Sequence, residues 1–349
     1  MSHKNFIAED IGFISNSLNQ YKTELVEKSF LVSGATGLIG FTLVSALLEF
    51  EKKNNCCMKI FALVRNEEKA KMMYANELCN DCLTFVVADI QDKIKVDSPI
   101  DFVIHTANQT SSRAFVEEPV ETIETAITGT RNILDFAKKK KSASVVFLST
   151  MEVYGTPATD DKILETQGTT LNTMEVRSSY PESKRLCESL CKAYASEYSV
   201  PVKVIRLTQT FGPGVSYHDG RVFAEFARCV IEKRNIVLKT KGETKRNYLY
   251  TADAALAIFA VLLRGQIGEA YNAANEETYC SIYEMAHLVA EECAKNEIQV
   301  VVQEQDISKF GYAPVLKMNL DTSKLKALGW NPSKGLKEMF LRLIGSLEK

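Results

Sequence analysis

The chain has 349 residues, 46% of them hydrophobic and 25% charged, with a formal net charge of -2 at pH 7. That length admits one large domain or two coupled ones around a sizeable interior, and the near-neutral balance gives no support to bulk nucleic-acid or membrane binding. No apolar stretch approaches the roughly 20 residues of a membrane helix, and the opening MSHKNFIAEDIG lacks the basic-then-apolar layout of a signal peptide, so a cytoplasmic location is the expectation. Nine cysteines, an odd number scattered through apparent helices and strands, read as reduced thiols rather than a disulfide framework. The local pair Cys79 and Cys82 in CNDC lacks the second pair or nearby histidine that a zinc site wants, so no metal is expected.

Residues 1–28 read as an N-terminal extension with one amphipathic segment, IGFISNSLNQY, suited to a short docking helix. From Ser29 onward short apolar runs alternate with helical periods. Strands are expected at 30–34, 59–64, 83–88, 101–107, 144–150 and 202–208, and helices at 38–50, 67–77, 121–140 and 181–198. Strands apolar on both faces and separated by helices imply an α/β, doubly wound parallel sheet covered on both sides. Residues 29–210 are taken as a Rossmann domain to which 248–275 return. Residues 211–247 and 276–349 are taken as a smaller, interleaved substrate domain, with a helix at 221–232 and strands at 236–238 and in IQVVVQ.

SGATGLIG follows the first strand and opens a helix. Its glycines at 34, 37 and 40 allow a tight turn and let a pyrophosphate approach the free N–H groups of the helix start. Thr36, Leu38 and Ile39 lie in the same turn, and dinucleotide binding is the expected role. Arg65 ends the second strand where an NAD site usually presents an acid to the ribose; an arginine can bind a 2′-phosphate, which tilts the cofactor modestly from NAD+ toward NADP+. Asp89 and Ile90, after the third strand, are placed to meet the adenine. In SSYPESKR, Tyr180 and Lys184 are four residues apart and share one helix face. A phenol is a poor base near neutral pH, but a neighbouring ammonium and the positive nicotinamide ring favour the phenolate.

With these motifs the chain resembles the extended short-chain dehydrogenase/reductases, and among them the NAD-dependent nucleotide-sugar epimerases, dehydratases and decarboxylases. The resemblance runs from about residue 29 to 335 through GATGLIG, ADI, DFVIHTAN, STMEVYG, YPESK, RLTQTFGPG, KRNYLYTAD and LDTSKLKALGW. It implies NAD(P)+ as a recycled hydride carrier, with Thr106 and Ala107 beside it, a nucleotide-diphosphate sugar as substrate, and a homodimer packed through helices. It implies Thr150 as the residue that hydrogen-bonds the sugar hydroxyl, Tyr180 as the base, and Lys184 as the residue that orients the nicotinamide ribose and tunes the tyrosine. Arg246 matches the arginine that grips the substrate diphosphate, and Arg221, in DGRV, a nucleotide contact. Gln209 stands where such enzymes often have Asn, and Ala126 where they often have Asn three residues before GT, which points to an unusual substrate rather than a lost cofactor.

The resemblance implies a shared first step, oxidation at sugar C4, from which several outcomes branch. A 4,6-dehydratase resembling this chain would place an acid after the threonine, whereas Met151 stands there and cannot transfer a proton. UDP-glucuronate decarboxylases are closer in STxEVYG and RSSYPESKR and need no leaving-group acid. Their cation before the final LGW is matched here at best by Lys317, and Gly214 follows FGP where they have arginine. A 4-epimerase needs only Thr150, Tyr180 and room to turn the keto sugar over. Glu152 is either catalytic or a turn carboxylate accepting backbone N–H bonds. An NADPH-dependent ketoreductase and a non-catalytic NAD(P)-binding protein stay open as alternatives.

Overall fold

The computed structural model describes residues 5–78, 80–305 and 315–348. Helix α1 (Phe6–Ser17) and the short α2 (Lys22–Leu25) lead into β1 (Ser29–Ser33), α3 (Leu38–Asn54), β2 (Lys59–Val64), α4 (Glu67–Met73), β3 (Leu83–Val87) and β4 (Phe102–His105). Then follow α5 (Ala114–Glu117), α6 (Pro119–Lys140), β5 (Ser144–Thr150), α7 (Ser179–Tyr198), β6 (Val202–Leu207), β7 (Gln209–Phe211), α8 (Val222–Ile231), β8 (Ile236–Leu238) and β9 (Lys245–Tyr250). The chain closes with α9 (Thr251–Arg264), β10 (Ala270–Ala273), β11 (Asn275–Ser281), α10 (Ile282–Leu288), β12 (Val300–Val302), β13 (Lys317–Met318), α11 (Ser323–Lys326) and α12 (Leu336–Leu347).

Seven of the strands form one sheet in the order β10-β6-β5-β4-β1-β2-β3, and every pairing in it is parallel. The physical cause lies in the strand sequences. β1 and β5 are buried along their whole length, and side chains alternate between two cores as a period of two requires. Phe30, Val32, Ile60 and Ala62 face the core that contains residues of α3 and α9, while Leu31, Phe61 and Leu63 face the one built on α6 and α7. The strand order reverses between β1 and β4, and a crevice opens there at the carboxyl ends of the strands, the usual ligand position in such sheets.

A second sheet joins β11, β9 and β13, with β7 pairing to β9. Because β7 follows β6 after a single residue, this sheet is tied directly to the end of the main one. Lys317 sits on β13, 2.7 Å from Asp160, which Lys245 also approaches at 3.4 Å. The helix expected at 67–77 stops at Met73 and gives way to a 3₁₀ turn at Ala75–Glu77.

The N-terminal segment forms the expected helix, though it starts earlier, at Phe6 where Asn5 caps it by accepting from the Ala8 N–H. It packs on α3, α9 and α12. Among the described residues no helix is long and apolar enough to cross a membrane. Cys79 lies outside the described residues; Cys82 is half-buried, its thiol pushed up to about 11 by burial.

Candidate active site

The turn after β1 has no room for side chains. Gly34 has φ +67°, and a Cβ there would lie 2.7 Å from the Thr106 hydroxyl and 2.9 Å from the Ala107 backbone. A Cβ on Gly40 would lie 2.2 Å from the Gly34 carbonyl oxygen. Gly37 opens α3 with extended backbone and no side-chain cap, so the first N–H groups of the helix are left for another acceptor. Thr36, Leu38 and Ile39 complete the turn. Across the crevice, Ser33 braces the residues after β4. Its hydroxyl oxygen accepts from the N–H groups of Thr106 and Ala107, both at 3.2 Å, and pairs with Nδ1 of His105 at 2.8 Å. The bare turn and the uncapped helix start form a cradle that fits a dinucleotide diphosphate.

Arg65 and Asp89 end neighbouring strands. Their side chains approach at 4.0 Å, with the arginine 79% exposed. This arginine is therefore available to solvent but already beside a carboxylate, a detail that adjacent strand ends decide and sequence does not. The Ile90 side chain is buried in the α6 and α7 core, and a Cβ on Gly129 would come within 3.0 Å of it.

β5 ends at Thr150, where the chain enters a 3₁₀ turn over Met151–Tyr154 and the Glu152 N–H donates to the Thr150 hydroxyl at 3.3 Å. The Thr150 hydroxyl also lies near enough to Tyr180 to ease loss of the phenol proton, and α7 presents that tyrosine one turn before Lys184. The tyrosine ring is buried and stacks on Phe115, centroids 4.1 Å apart and planes 7° from parallel; such a contact is worth about 0.5–1.5 kcal/mol beyond its area. Tyr180, Thr150 and Glu152 thus lie within reach of one another's charge.

The electrostatics differ from the sequence expectation. Burial, and after it the Glu152 carboxylate, holds the Tyr180 hydroxyl well above the usual phenol range, while the Thr150 hydroxyl and the Arg177 and Arg221 guanidinium groups act against them. The Lys184 ammonium donates to the Leu148 carbonyl at 2.7 Å and lies 4.5 Å from the Phe147 ring centre. Burial brings it down to about 8. Beside it His105 is buried and shifted down to about 3 by burial and by Lys184, which keeps the imidazole neutral at neutral pH.

Two site residues are absent from the sequence reading. Arg177, three residues before Tyr180, forms an ion pair with Glu152 at 2.8 Å, lies 4.9 Å from the Phe115 ring centre and keeps a buried Nε without a partner among the described residues. A cation in the motif that presents Tyr180 could have signalled it. Glu188, one turn beyond Lys184, is paired with Arg206 at 2.6 Å and accepts from the Ser149 hydroxyl, so it fixes the strand end that carries Thr150. Met151 is buried, its sulfur 3.3 Å from the Thr208 hydroxyl, which donates to the Asn247 carbonyl at 2.6 Å.

Of the residues matched to substrate binding, Arg221 acts on Tyr180 and two others meet on the second sheet. Gln209 on β7 is paired in register with Tyr248 on β9, two residues from Arg246, so these side chains share one face of the second sheet. On that face the Gln209 Oε1, the Arg246 Nε and the Tyr248 hydroxyl are buried without partners among the described residues. Buried polar atoms of that kind are costly unless something satisfies them. Arg221 caps α8 and is held by Asp219 at 2.6 Å. Ala126 is buried in α6, its carbonyl accepting from the Cys187 thiol at 3.2 Å.

Comparison with known proteins agrees with this geometry. The chain is 26% identical over 321 residues to UDP-glucuronic acid decarboxylase 1 of Xenopus tropicalis, covering 91% of this chain and 72% of that one. It is 29% identical over 326 residues to UDP-N-acetyl-alpha-D-glucosaminuronate decarboxylase of Bacillus cytotoxicus, covering 90% and 97%. Among solved structures, UDP-glucuronic acid 4-epimerase of Bacillus cereus, in complex with UDP-glucuronic acid and NAD, superposes with a TM-score of 0.75 at 20% identity, over 92% of this chain and 99% of that one. The NAD complex of dTDP-glucose 4,6-dehydratase of Bacillus anthracis gives 0.74 at 20% identity, over 92% and 96%. The profile of the NAD dependent epimerase/dehydratase family matches residues 30–274, which hold the glycine-rich turn, Thr150, Tyr180 and Lys184, and the chain belongs to that family.

Proposed function

We propose that the protein converts a nucleotide-diphosphate-activated uronic acid by transient oxidation at C4 followed by loss of its carboxylate as carbon dioxide. Supporting this reading over its relatives is the Arg177 and Glu152 pair beside Tyr180. The Arg177 guanidinium offsets the Glu152 carboxylate, which would otherwise repel an acidic sugar, and so leaves the site able to take a second carboxylate. Lys317, the cation matched to the decarboxylases, is occupied by Asp160 on the second sheet.

The Gly34–Gly40 turn and Lys184 would hold NAD(P)+, which would supply a reversible hydride acceptor. Thr150 holds the C4 hydroxyl and Tyr180 takes its proton. The resulting 4-keto sugar has its carboxylate β to the ketone, so carbon dioxide leaves with its bonding pair delocalised onto the ketone oxygen. The enolate then takes one proton at C5 from water, while Glu152, held as a carboxylate by Arg177, stays an anion beside the reacting carbon. Tyr180 finally returns its proton to the C4 oxygen. Arg246 and Gln209 take the diphosphate, and Arg221 the nucleotide. A second reading, epimerisation at C4 of the same substrate class, is favoured by the same trio, since it asks for no C5 proton. Dehydration is disfavoured because Met151, buried in the acid position, carries no proton to transfer.

Mass spectrometry after incubation with UDP-, dTDP-, CDP- and GDP-activated uronic acids and neutral sugars is expected to show loss of carbon dioxide from a uronate. An unchanged mass with inverted C4 would select the epimerase, and loss of water would overturn both. Arg177→Met is expected to raise KM for the uronate about tenfold or more, by the roughly 1.5–3 kcal/mol of a charged hydrogen bond. Cofactor released from the same preparation by denaturation distinguishes NADP+ from NAD+.

The division into a dinucleotide domain and a substrate domain of residues 211–247 and 276–349, and a homodimer, belong to the same reading. Val120 and Leu186 are exposed on α6 and α7, the helices through which such a dimer would pack. Light scattering is expected to give twice the chain mass; a single-chain mass removes the dimer.

A further inference from the structure

Helix α1 lies outside the family match at 30–274, yet it is joined to the rest of the molecule by buried polar contacts rather than by apolar packing alone. Arg342 of α12 is the centre of them. Its Nη2 donates to Asp10 Oδ1 at 2.8 Å, its Nε donates to the Tyr250 hydroxyl at 2.6 Å, and that hydroxyl donates to Asp10 Oδ2. The three side chains close a ring of hydrogen bonds among α1, α12 and the last residue of β9. The guanidinium also lies 4.7 Å from the Phe6 ring centre and reaches Glu9 at 3.1 Å. Gly345 of α12 leaves space for that ring, since a Cβ there would lie 2.6 Å from it.

What α1 holds is the strand pair that carries Arg246 and Gln209. Tyr250 is paired in register with Phe211 on β7. Its ring occupies the space beside Gly212, where a Cβ would come within 2.8 Å of it. The loop that follows runs between α1 and the cofactor turn: Pro213 lines a small void with Ile7, Asp10 and Ile11, and a Cβ on Gly214 would lie 3.1 Å from Leu38. Two residues back from Tyr250 is Tyr248, and four back is Arg246, on the face with the unpartnered atoms of Arg246, Gln209 and Tyr248.

We propose that Asp10, Tyr250 and Arg342 are positioning residues for substrate binding: through them α1 sets the depth of β7 and β9, and so places Arg246 and Gln209 against the diphosphate. The proposal rests on the reading of Arg246 and Gln209 as the diphosphate site. The N-terminal helix contributes to affinity for the substrate while touching none of it. Buried polar groups hold such a placement better than apolar ones, because a hydrogen-bonded ring has one satisfied geometry and a slipped one leaves charges unpaired.

The test is titration of the full chain with UDP, dTDP, CDP and GDP, and separately with NAD+, in Tyr250→Phe, Asp10→Asn and Arg246→Ala variants. Tyr250→Phe removes only the hydroxyl and keeps the ring against Gly212. Both ring variants are expected to weaken the tightest nucleoside diphosphate at least fivefold and NAD+ less than twofold, and to speed backbone hydrogen exchange at residues 209–211 and 245–250. Unchanged diphosphate affinity in both, or diphosphate and NAD+ affinity falling together, overturns the positioning role. Arg246→Ala separates the two ideas. If it leaves diphosphate affinity intact the diphosphate site is misassigned, whereas if only Arg246→Ala weakens binding the site stands and the role of α1 falls.

Discussion

Tyr180→Phe is expected to lower turnover by about 10²–10⁴-fold, the usual worth of a positioned acid or base, while NAD(P)+ affinity stays within a few-fold. The ring makes the packing contact and the hydroxyl makes the chemistry. Phe115 stacks on the ring and phenylalanine keeps that face, so the fold and the glycine-rich cradle are untouched. What disappears is the hydroxyl beside Thr150 that is placed to take the C4 proton. The protein by itself makes this phenol a reluctant acid, because burial and Glu152 outweigh Thr150, Arg177 and Arg221. The activating charge has to come from the bound cofactor and from the balance of the Glu152 and Arg177 pair. Glu152→Gln is then expected to move the acid limb of the pH–rate profile to lower pH, since removing the anion eases loss of the phenol proton. Single-turnover rates against pH with saturating cofactor check both results, and near-normal turnover in Tyr180→Phe ends the assignment.

Gly40→Ala is expected to abolish detectable NAD(P)+ binding and to destabilise the fold by about 3 kcal/mol or more, the upper end for overpacking. The new methyl group would be 2.2 Å from the Gly34 carbonyl oxygen and 2.8 Å from its carbonyl carbon. Both are backbone atoms, and no rotamer change relieves the clash. Gly34 has little room to retreat, because the space beside it is filled: a Cβ built on it would lie 2.7 Å from the Thr106 hydroxyl and 2.9 Å from the Ala107 backbone. The turn must open, and the N–H groups at the start of α3 then lose the close approach that a pyrophosphate needs. Thermal unfolding with and without NAD+ measures the effect: the variant should melt lower and show no cofactor-dependent stabilisation. A wild-type response to NAD+ would show that the cradle tolerates a side chain.

Features that depend on near neighbours in the chain were legible from the sequence. Strand burial follows from apolar runs, helix faces from the spacing of apolar residues, and the glycine turn from a backbone that only glycine fits. Tyr180 and Lys184 share a helix face because four residues is about one turn. Those regularities are set by backbone geometry and are written in local order, so the doubly wound sheet and the shared helix face of Tyr180 and Lys184 could be read in advance. The choice of charged partners could not. Arg177 reaches Glu152 across 25 residues, Arg342 reaches Asp10 across 332, Lys184 spends its ammonium on the Leu148 carbonyl, and Ile90 turns into the core. A charge attracts whatever packing brings within a few ångströms, and many sequence positions satisfy that rule equally well. Only the tertiary structure, by deciding which strand ends and helix turns meet, selects the pairings that set the electrostatics of the site.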